Sequence, residues 1–139
     1  MVKFFDLGQV KEEKLEFAVI YTEFQDKYVF VRHKDRRTWE VPGGHRELNE
    51  DINFTAEREL VEETGAKRFN VIPICDYSAN LEVDTRYGRL FYAVISEFGE
   101  LPQYEIEEVK MFDEYPVELT YPEVLPYLCR EIEHRKSLV

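Results

Sequence analysis

Apolar and polar residues alternate along Leu15–Phe24, a run rich in β-formers, and this period of two predicts a strand with one buried face. Lys27–Arg32 carries the same signature after the short Gln25-Asp26 turn, so the two segments predict a hairpin. Thr38–Val41 predicts a short strand that stops at Pro42. Arg68–Ala79 holds Phe69, Val71, Ile72, Ile74 and Tyr77 and predicts a longer strand. Pro73 inside it has no N–H to give to a ladder, which places it at a sheet edge or an irregularity. Leu90–Ile95 is almost unbroken apolar sequence, the pattern of a strand covered on both faces. Gly99–Pro102 reads as a loop, and Glu108–Phe112 as a last strand.

Two segments have helical spacing instead. Asp51–Thr64 predicts a helix with Asp51 as N-cap and Gly65 as the residue that closes it in a left-handed conformation. Pro122–Lys136 predicts a second helix, with Val124, Leu125, Leu128 and Ile132 as the core-facing stripe. Thr120 and Glu123 have the spacing of a capping box at its start. Strands mixed with two separated helices predict an α/β sandwich, a sheet packed between helices. No repeat, low-complexity segment or linker interrupts the chain, and its 139 residues suffice for a single domain spanning 1–139 with a substantial core.

Composition, charge and cysteine usage refine this picture. With 44% hydrophobic and 14% aromatic residues, the chain is expected to fold rather than stay disordered. A formal net charge of −11 disfavours a long nucleic acid as partner, because such affinity comes from Lys and Arg displacing counterions. A small nucleotide held through a metal, or the terminal phosphates of an RNA, stays compatible with it. No apolar run approaches the roughly 18 residues of a membrane span, and Met1–Asp6 lacks the apolar core of a signal peptide. Cys75 and Cys129 lie far apart without metal-ligand spacing and read as buried free thiols. A cytoplasmic location is the expectation.

The candidate chemistry sits in residues 44–66, Gly-His-Arg-Glu-Leu-Asn-Glu-Asp-Ile-Asn-Phe-Thr-Ala-Glu-Arg-Glu-Leu-Val-Glu-Glu-Thr-Gly-Ala. Glu59, Glu62 and Glu63 are spaced i, i+3, i+4, which puts three carboxylates within an arc of about 100° on one helix face. Like charges at i,i+4 cost a few tenths of a kcal/mol. A bound hard cation such as Mg²⁺, which takes carboxylate, carbonyl and phosphate oxygens, would reverse that sign. Helix glutamates are ordinarily a solvated face, and Asp51 and Gly65 are accounted for as helix ends. Neither explanation covers three acids on one face together with Arg58 and the Gly43-Gly44 turn.

This stretch resembles the Nudix box: Gly, five residues, Glu, seven residues, then Arg-Glu-apolar-any-Glu-Glu-any-Gly-apolar. Gly44, Glu50, Arg58, Glu59, Leu60, Glu62, Glu63 and Gly65 fall in place, with the small Ala66 in the last apolar slot. The preceding Trp39-Glu40-Val41-Pro42-Gly43 is similar to the strand that enters the box in the MutT-like branch. The resemblance implies a Nudix-type α/β/α sandwich with a mixed β-sheet. It also implies metal-assisted attack of water on the pyrophosphate link of a nucleoside diphosphate joined to a further group.

Carried over position by position, the resemblance makes Glu59, Glu62, Glu63 and the Gly43 carbonyl ligands of Mg²⁺, with Mn²⁺ as substitute, and leaves open which glutamate acts as base. Arg58 would orient a glutamate, and Glu50 would fix the loop or the metal shell. Asn49 stands where many members have a second glycine. A further acid from a loop across the site is expected among Glu105, Glu107 and Glu108, with Glu108 preferred because it adjoins the predicted last strand. An acidic surface turn explains these three equally well. Arg32, Glu47, Tyr121 and Glu123 are the suggested substrate contacts, although Arg32 reads equally as a surface arginine and Glu123 better as a helix cap. His33, His45 and His134 have no spacing that suggests a site, and His45 reads as a solvated loop histidine beside the Gly-Gly turn.

Leu81-Glu82-Val83-Asp84 lacks the proline of ADP-ribose-cleaving members, and Tyr77 and Tyr87 miss the tyrosine of dinucleoside-polyphosphate members. The resemblance therefore favours a nucleoside triphosphate, ordinary or oxidised, cleaved to monophosphate and pyrophosphate. An RNA 5′-pyrophosphohydrolase, or a hydrolase of another nucleoside diphosphate derivative, is the alternative. A domain that senses nucleotides without cleaving them is the alternative of another class, and the intact set of acids argues against it. A monomer and a homodimer are both compatible with the sequence.

Overall fold

The computed structural model describes residues 1–81, 84–103 and 105–138. The chain order is β1 (Val2–Phe5), a 3-10 turn (Glu12–Lys14), β2 (Leu15–Phe24), β3 (Lys27–His33), β4 (Gly43–His45), α1 (Ile52–Thr64), β5 (Ala66–Leu81), β6 (Asp84–Phe98), β7 (Ile106–Phe112) and α2 (Leu125–Lys136). Among the described residues the strands form one sheet in the order β1-β5-β6-β2-β3-β7, with β4 paired to β2. The β2–β6 pairing is parallel and the others are antiparallel, so the sheet is mixed.

Alternation along the strands sends side chains to two separate layers. On one face, Ile52, Ala56 and Leu60 of α1 pack against Leu15, Ala18, Ile20, Phe91 and Ile95. On the other, Leu125, Leu128, Cys129 and Ile132 of α2 pack against Tyr21, Phe30, Cys75 and Leu90. Adjacent Leu90 and Phe91 are both buried and belong to opposite layers, as the continuous apolar run predicts. The α/β/α sandwich and the buried free thiols are as expected. Among the described residues, no helix is long and apolar enough to cross a membrane.

The divergence of β2 and β3 opens the space for a site. Both turn residues between them, Gln25 and Asp26, have positive φ (51° and 65°), the backbone of a tight hairpin. Yet β2 pairs with β3 only at Glu23 and Phe24. Farther down, β2 pairs through Phe17–Val19 with β4 instead. The Gly-Gly pair is thus strand rather than turn. Gly43 is required there because a Cβ would run into the backbone carbonyl of Ala18.

Other boundaries also move. β1 carries too short a pattern to stand out in sequence, and it is recruited by pairing with Asp76–Ala79 of β5. Pro73 lies beyond that pairing, at a register shift between β5 and β6, so both of its expected settings hold. Thr38–Val41 is not a strand. It is a connector held by bridges from Glu40 to Val31 and from Trp39 to Leu119. That second bridge also undoes the expected capping box. Thr120 donates its backbone N–H to the Trp39 carbonyl at 2.8 Å, and its hydroxyl meets that of Thr38 at 2.8 Å. Helix α2 consequently starts at Leu125, with Val124 at the N-cap position and no side-chain cap. The stretch read above for its missing proline lies outside the described residues at positions 82 and 83.

Candidate active site

Helix α1 is fixed at both ends. Asp51 accepts the Asn53 N–H at 2.7 Å, and Glu12 accepts that of Ile52 at 3.0 Å. Gly65, at φ 74°, closes the last turn as expected. Asn49, where the resemblance places a glycine, has positive φ, 64°, and so takes a left-handed turn that glycine would also adopt. Arg46 ties the loop to the sheet by donating to the carbonyls of Leu15 (2.7 Å), Glu50 (3.2 Å) and Glu13 (3.3 Å).

On this scaffold Arg58 gathers the acids. It grips Glu50 with two bonds (2.7 and 2.9 Å), reaches Glu59 at 2.9 Å and Glu62 at 3.3 Å, and donates to the His45 carbonyl at 3.1 Å. Glu47 lies 3.7 Å from the same guanidinium. The Arg58 bonds, with help from the Thr55 hydroxyl, hold the Glu50 carboxyl down at about 2, so Glu50 is a fixed anion that organises the loop.

Glu59 and Glu63 behave in the opposite way. Burial, reinforced by neighbouring Glu62, pushes the Glu59 carboxyl up to about 7. Burial pushes Glu63 up to about 9, against the opposing pull of the Gly43 N–H, which Glu63 Oε1 accepts at 3.0 Å. Carboxylates held together at the edge of water and short of positive charge form a hard, all-oxygen donor set. That set fits a divalent cation. A Cβ at Gly44 would overlap the Glu59 carboxylate, so the glycine keeps room for it.

The acids line a cavity of about 1130 Å³ together with Gly43, Gly44, Arg58 and Glu47. The lining continues with apolar and aromatic residues, among them Phe17, Val19, Tyr77, Tyr121 and Leu125, and with the charged or polar His33, Arg36, Glu40, Arg86 and Glu105. His45 is exposed, as expected of a histidine beside the Gly-Gly pair, and its ring tilts against Phe17 with centroids 4.5 Å apart.

Glu50 stays behind this wall on Arg58, and Arg32, Glu108 and Glu123 are not part of it either. Arg32 and Glu108 pair with each other at 3.4 Å across β3 and β7, and Arg32 also lies over Trp39. Glu123 is exposed, outside the cavity lining. The loop acid that does reach the site is Glu105, the neighbour of the preferred Glu108. A ligand atom from each of Glu105, Glu63 and His33 lies within 4.8 Å of the others.

His33 and Glu40 are the residues that sequence reasoning missed. His33 Nε2 sits 2.7 Å from Glu40 Oε1 and 3.4 Å from Glu63 Oε2. Burial pushes the Glu40 carboxyl up, and His33 and Arg36 pull it back. The only sequence signal for either was the position of Glu40 beside Trp39, at the entry to the acidic motif.

A family model described as NUDIX domain matches residues 13–127. The chain belongs to the NUDIX family. As NUDIX hydrolases do, it is expected to act through a divalent metal on nucleotides that carry a phosphoric anhydride. Solved structures share its fold. The crystal structure of the Bacillus subtilis pyrophosphohydrolase BsRppH aligns with a TM-score of 0.79 and 21% identity, over 96% of this chain and 90% of that one. A UDP-X diphosphatase aligns with a TM-score of 0.71 and 20% identity, over 86% of this chain and 63% of that one. A C. elegans Ap4A hydrolase aligns at 0.69 and 15% identity, over 89% of this chain and 100% of that one. No curated protein was found to match the chain in sequence.

Proposed function

We propose that this NUDIX hydrolase cleaves a nucleoside triphosphate, ordinary or oxidised, to a nucleoside monophosphate and pyrophosphate. The carrying observation is one cavity with two characters: Glu59, Glu62 and Glu63 on one wall, and Phe17, Tyr77 and Tyr121 on others. The first suits a metal-bound polyphosphate, and the second suits the flat apolar body of a base.

Glu59, Glu62, Glu63 and the Gly43 carbonyl would hold Mg²⁺ or Mn²⁺, with Glu105 as the acid from the facing loop. When bound, the cation offsets charge on the pyrophosphate and lowers the pKa of a coordinated water. The protein then has three tasks. Arg58 keeps Glu59 and Glu62 in place through the bonds described. One of the helix glutamates accepts a proton from the attacking water. The new bond joins water oxygen to phosphorus as the anhydride P–O bond breaks, and pyrophosphate leaves with that electron pair. Arg36, on the cavity rim, is placed to meet a phosphate.

A second reading, the 5′-triphosphate end of an RNA, draws support from Lys34, Arg36 and Arg37. They lie with Asp35 in one exposed stretch of an acidic chain. Arg36 lines the active cavity and Arg37 the neighbouring groove.

The deciding experiment is product analysis with Mg²⁺ on canonical and 8-oxo nucleoside triphosphates, ADP-ribose, dinucleoside polyphosphates and triphosphorylated RNA. Monophosphate and pyrophosphate from one triphosphate is the expected result. Cleavage confined to RNA ends would move the assignment to the second reading. Binding without turnover across the panel would make the protein a sensor.

A further inference from the structure

The residues around Glu63 form a connected line that the acidic motif does not contain. Strand β3 shifts register against β7 between Arg32 and His33. Such a bulge re-aims the side chains on either side of it. Arg32 goes to Glu108 and Trp39, while His33 goes into the cavity. The Lys34 N–H then donates to the Glu105 carbonyl at 2.8 Å, which brings the Glu105 loop alongside His33. Glu40 is pinned from below, exchanging both backbone hydrogen bonds with Val31 at 2.8 and 3.0 Å.

His33 Nε2 thus stands between a carboxylate on a fixed backbone, Glu40, and a carboxylate on the helix, Glu63. Glu63 Oε1 already accepts the Gly43 N–H. One contact leaves a carboxylate free to turn about its last bond, and the imidazole, 3.4 Å from Glu63 Oε2 and 2.7 Å from Glu40 Oε1, favours one orientation of it electrostatically. Remove the imidazole, and Glu63 faces Glu40 and Glu105 with nothing between them.

We infer that His33 is a positioning residue for the metal centre, holding Glu63 in its metal-receiving orientation through the line Glu40–His33–Glu63–Gly43. This deepens the proposed hydrolase function and rests on it for its catalytic consequence. Its effect on metal affinity can be read without any substrate. Removing an outer partner that orients a metal ligand typically costs about 10–100-fold in affinity or activity.

The test compares wild type with His33→Ala, His33→Gln and Glu40→Gln. Mn²⁺ affinity is read from the electron paramagnetic resonance of the free ion. Nitrogen coupling to bound Mn²⁺ is read by spin-echo modulation, and kcat and KM are read on the cleaved nucleotide. His33→Ala should weaken Mn²⁺ binding by about tenfold or more and lower kcat, with KM within about twofold. His33→Gln, whose amide N–H can stand in for the imidazole, should recover affinity to within about threefold. Glu40→Gln should fall between the two, and wild type should show no nitrogen coupling. The inference is overturned by unchanged Mn²⁺ affinity in His33→Ala, by His33→Gln faring no better than alanine, or by nitrogen coupling, which would make His33 a ligand. It is also overturned if wild type binds no Mn²⁺. If the affinities follow expectation but no nucleoside triphosphate is cleaved, the substrate assignment fails and the role of His33 stands.

Discussion

Helices α1 and α2 cover opposite faces of one sheet, but they treat charge in opposite ways. On α2, Glu131, Glu133, Arg135 and Lys136 are partnered within the protein. Glu133 accepts hydrogen bonds from the Tyr21 and Tyr115 hydroxyls, at 2.5 and 3.0 Å. Arg135 pairs with Glu131 at 2.7 Å, and Lys136 reaches Glu23 at 3.3 Å. On α1, Arg58 is shared among Glu50, Glu59 and Glu62, and Glu63 is buried with a backbone N–H and a histidine as its polar company. One helix is complete as folded, whereas the other carries a deficit of positive charge. A deficit of this kind marks where a ligand contributes what the chain does not.

The strongest way to break this contrast is Glu63→Gln. Loss of a metal-facing carboxylate should lower kcat by roughly 100-fold or more. The metal-free melting temperature should hold or rise, since the change removes an unfavourably buried acid. Glu62→Gln should cost activity on the same scale while leaving the fold intact. Normal kinetics for both, measured at saturating Mg²⁺, would place the metal on other residues.

The counterpart on α2 is Ile132→Ala, which empties a fully buried site. It should cost about 2–5 kcal/mol of stability in denaturant melts. Under folding conditions kcat should stay within about twofold, because Ile132 does not line the cavity.

The pH profile sharpens the comparison further. Folded-state values raised to about 7 for Glu59 and about 9 for Glu63 mean that the folded protein holds these protons more tightly than the unfolded chain. Their contribution is therefore fully present below the unfolded value of about 4.3 and is lost as pH rises through 7 and 9. Glu50, held at about 2, has the reverse sign: its contribution is present above the unfolded value and lost as pH falls toward 2. Metal-free protein should lose thermal stability between pH 5 and 9, and millimolar Mg²⁺ should flatten the slope. A profile that rises over this range would show that the acidic face is already compensated.

Glu123→Ala should have the smallest effect, under about 0.5 kcal/mol by thermal melt, because no capping box forms around it.

Helix α1 was legible almost residue by residue. Its acids, its N-cap and its closing glycine all lie on one 13-residue helix or at its ends, where spacing alone decides which side chains share a face. The strands were legible as a pattern but not in extent. β5 and β6 run well past their apolar centres because each offers the other a ladder partner. Thr38–Val41 has the composition of a strand, yet it is held at two isolated bridges, since β4 occupies the adjacent length of β2.

By itself, then, the sequence determined the chemistry of α1 and the two apolar layers, because helical and strand periodicities are properties of neighbours along the chain. Tertiary structure decided which more distant residues complete the centre. Glu105 rather than Glu108 reaches the cavity because strand register pairs Glu108 with Arg32. His33 meets Glu63, and Glu40 meets His33, because a bulge and a backbone bridge carry them there. Those contacts depend on how strands align across the sheet, and no spacing within a single segment encodes that alignment.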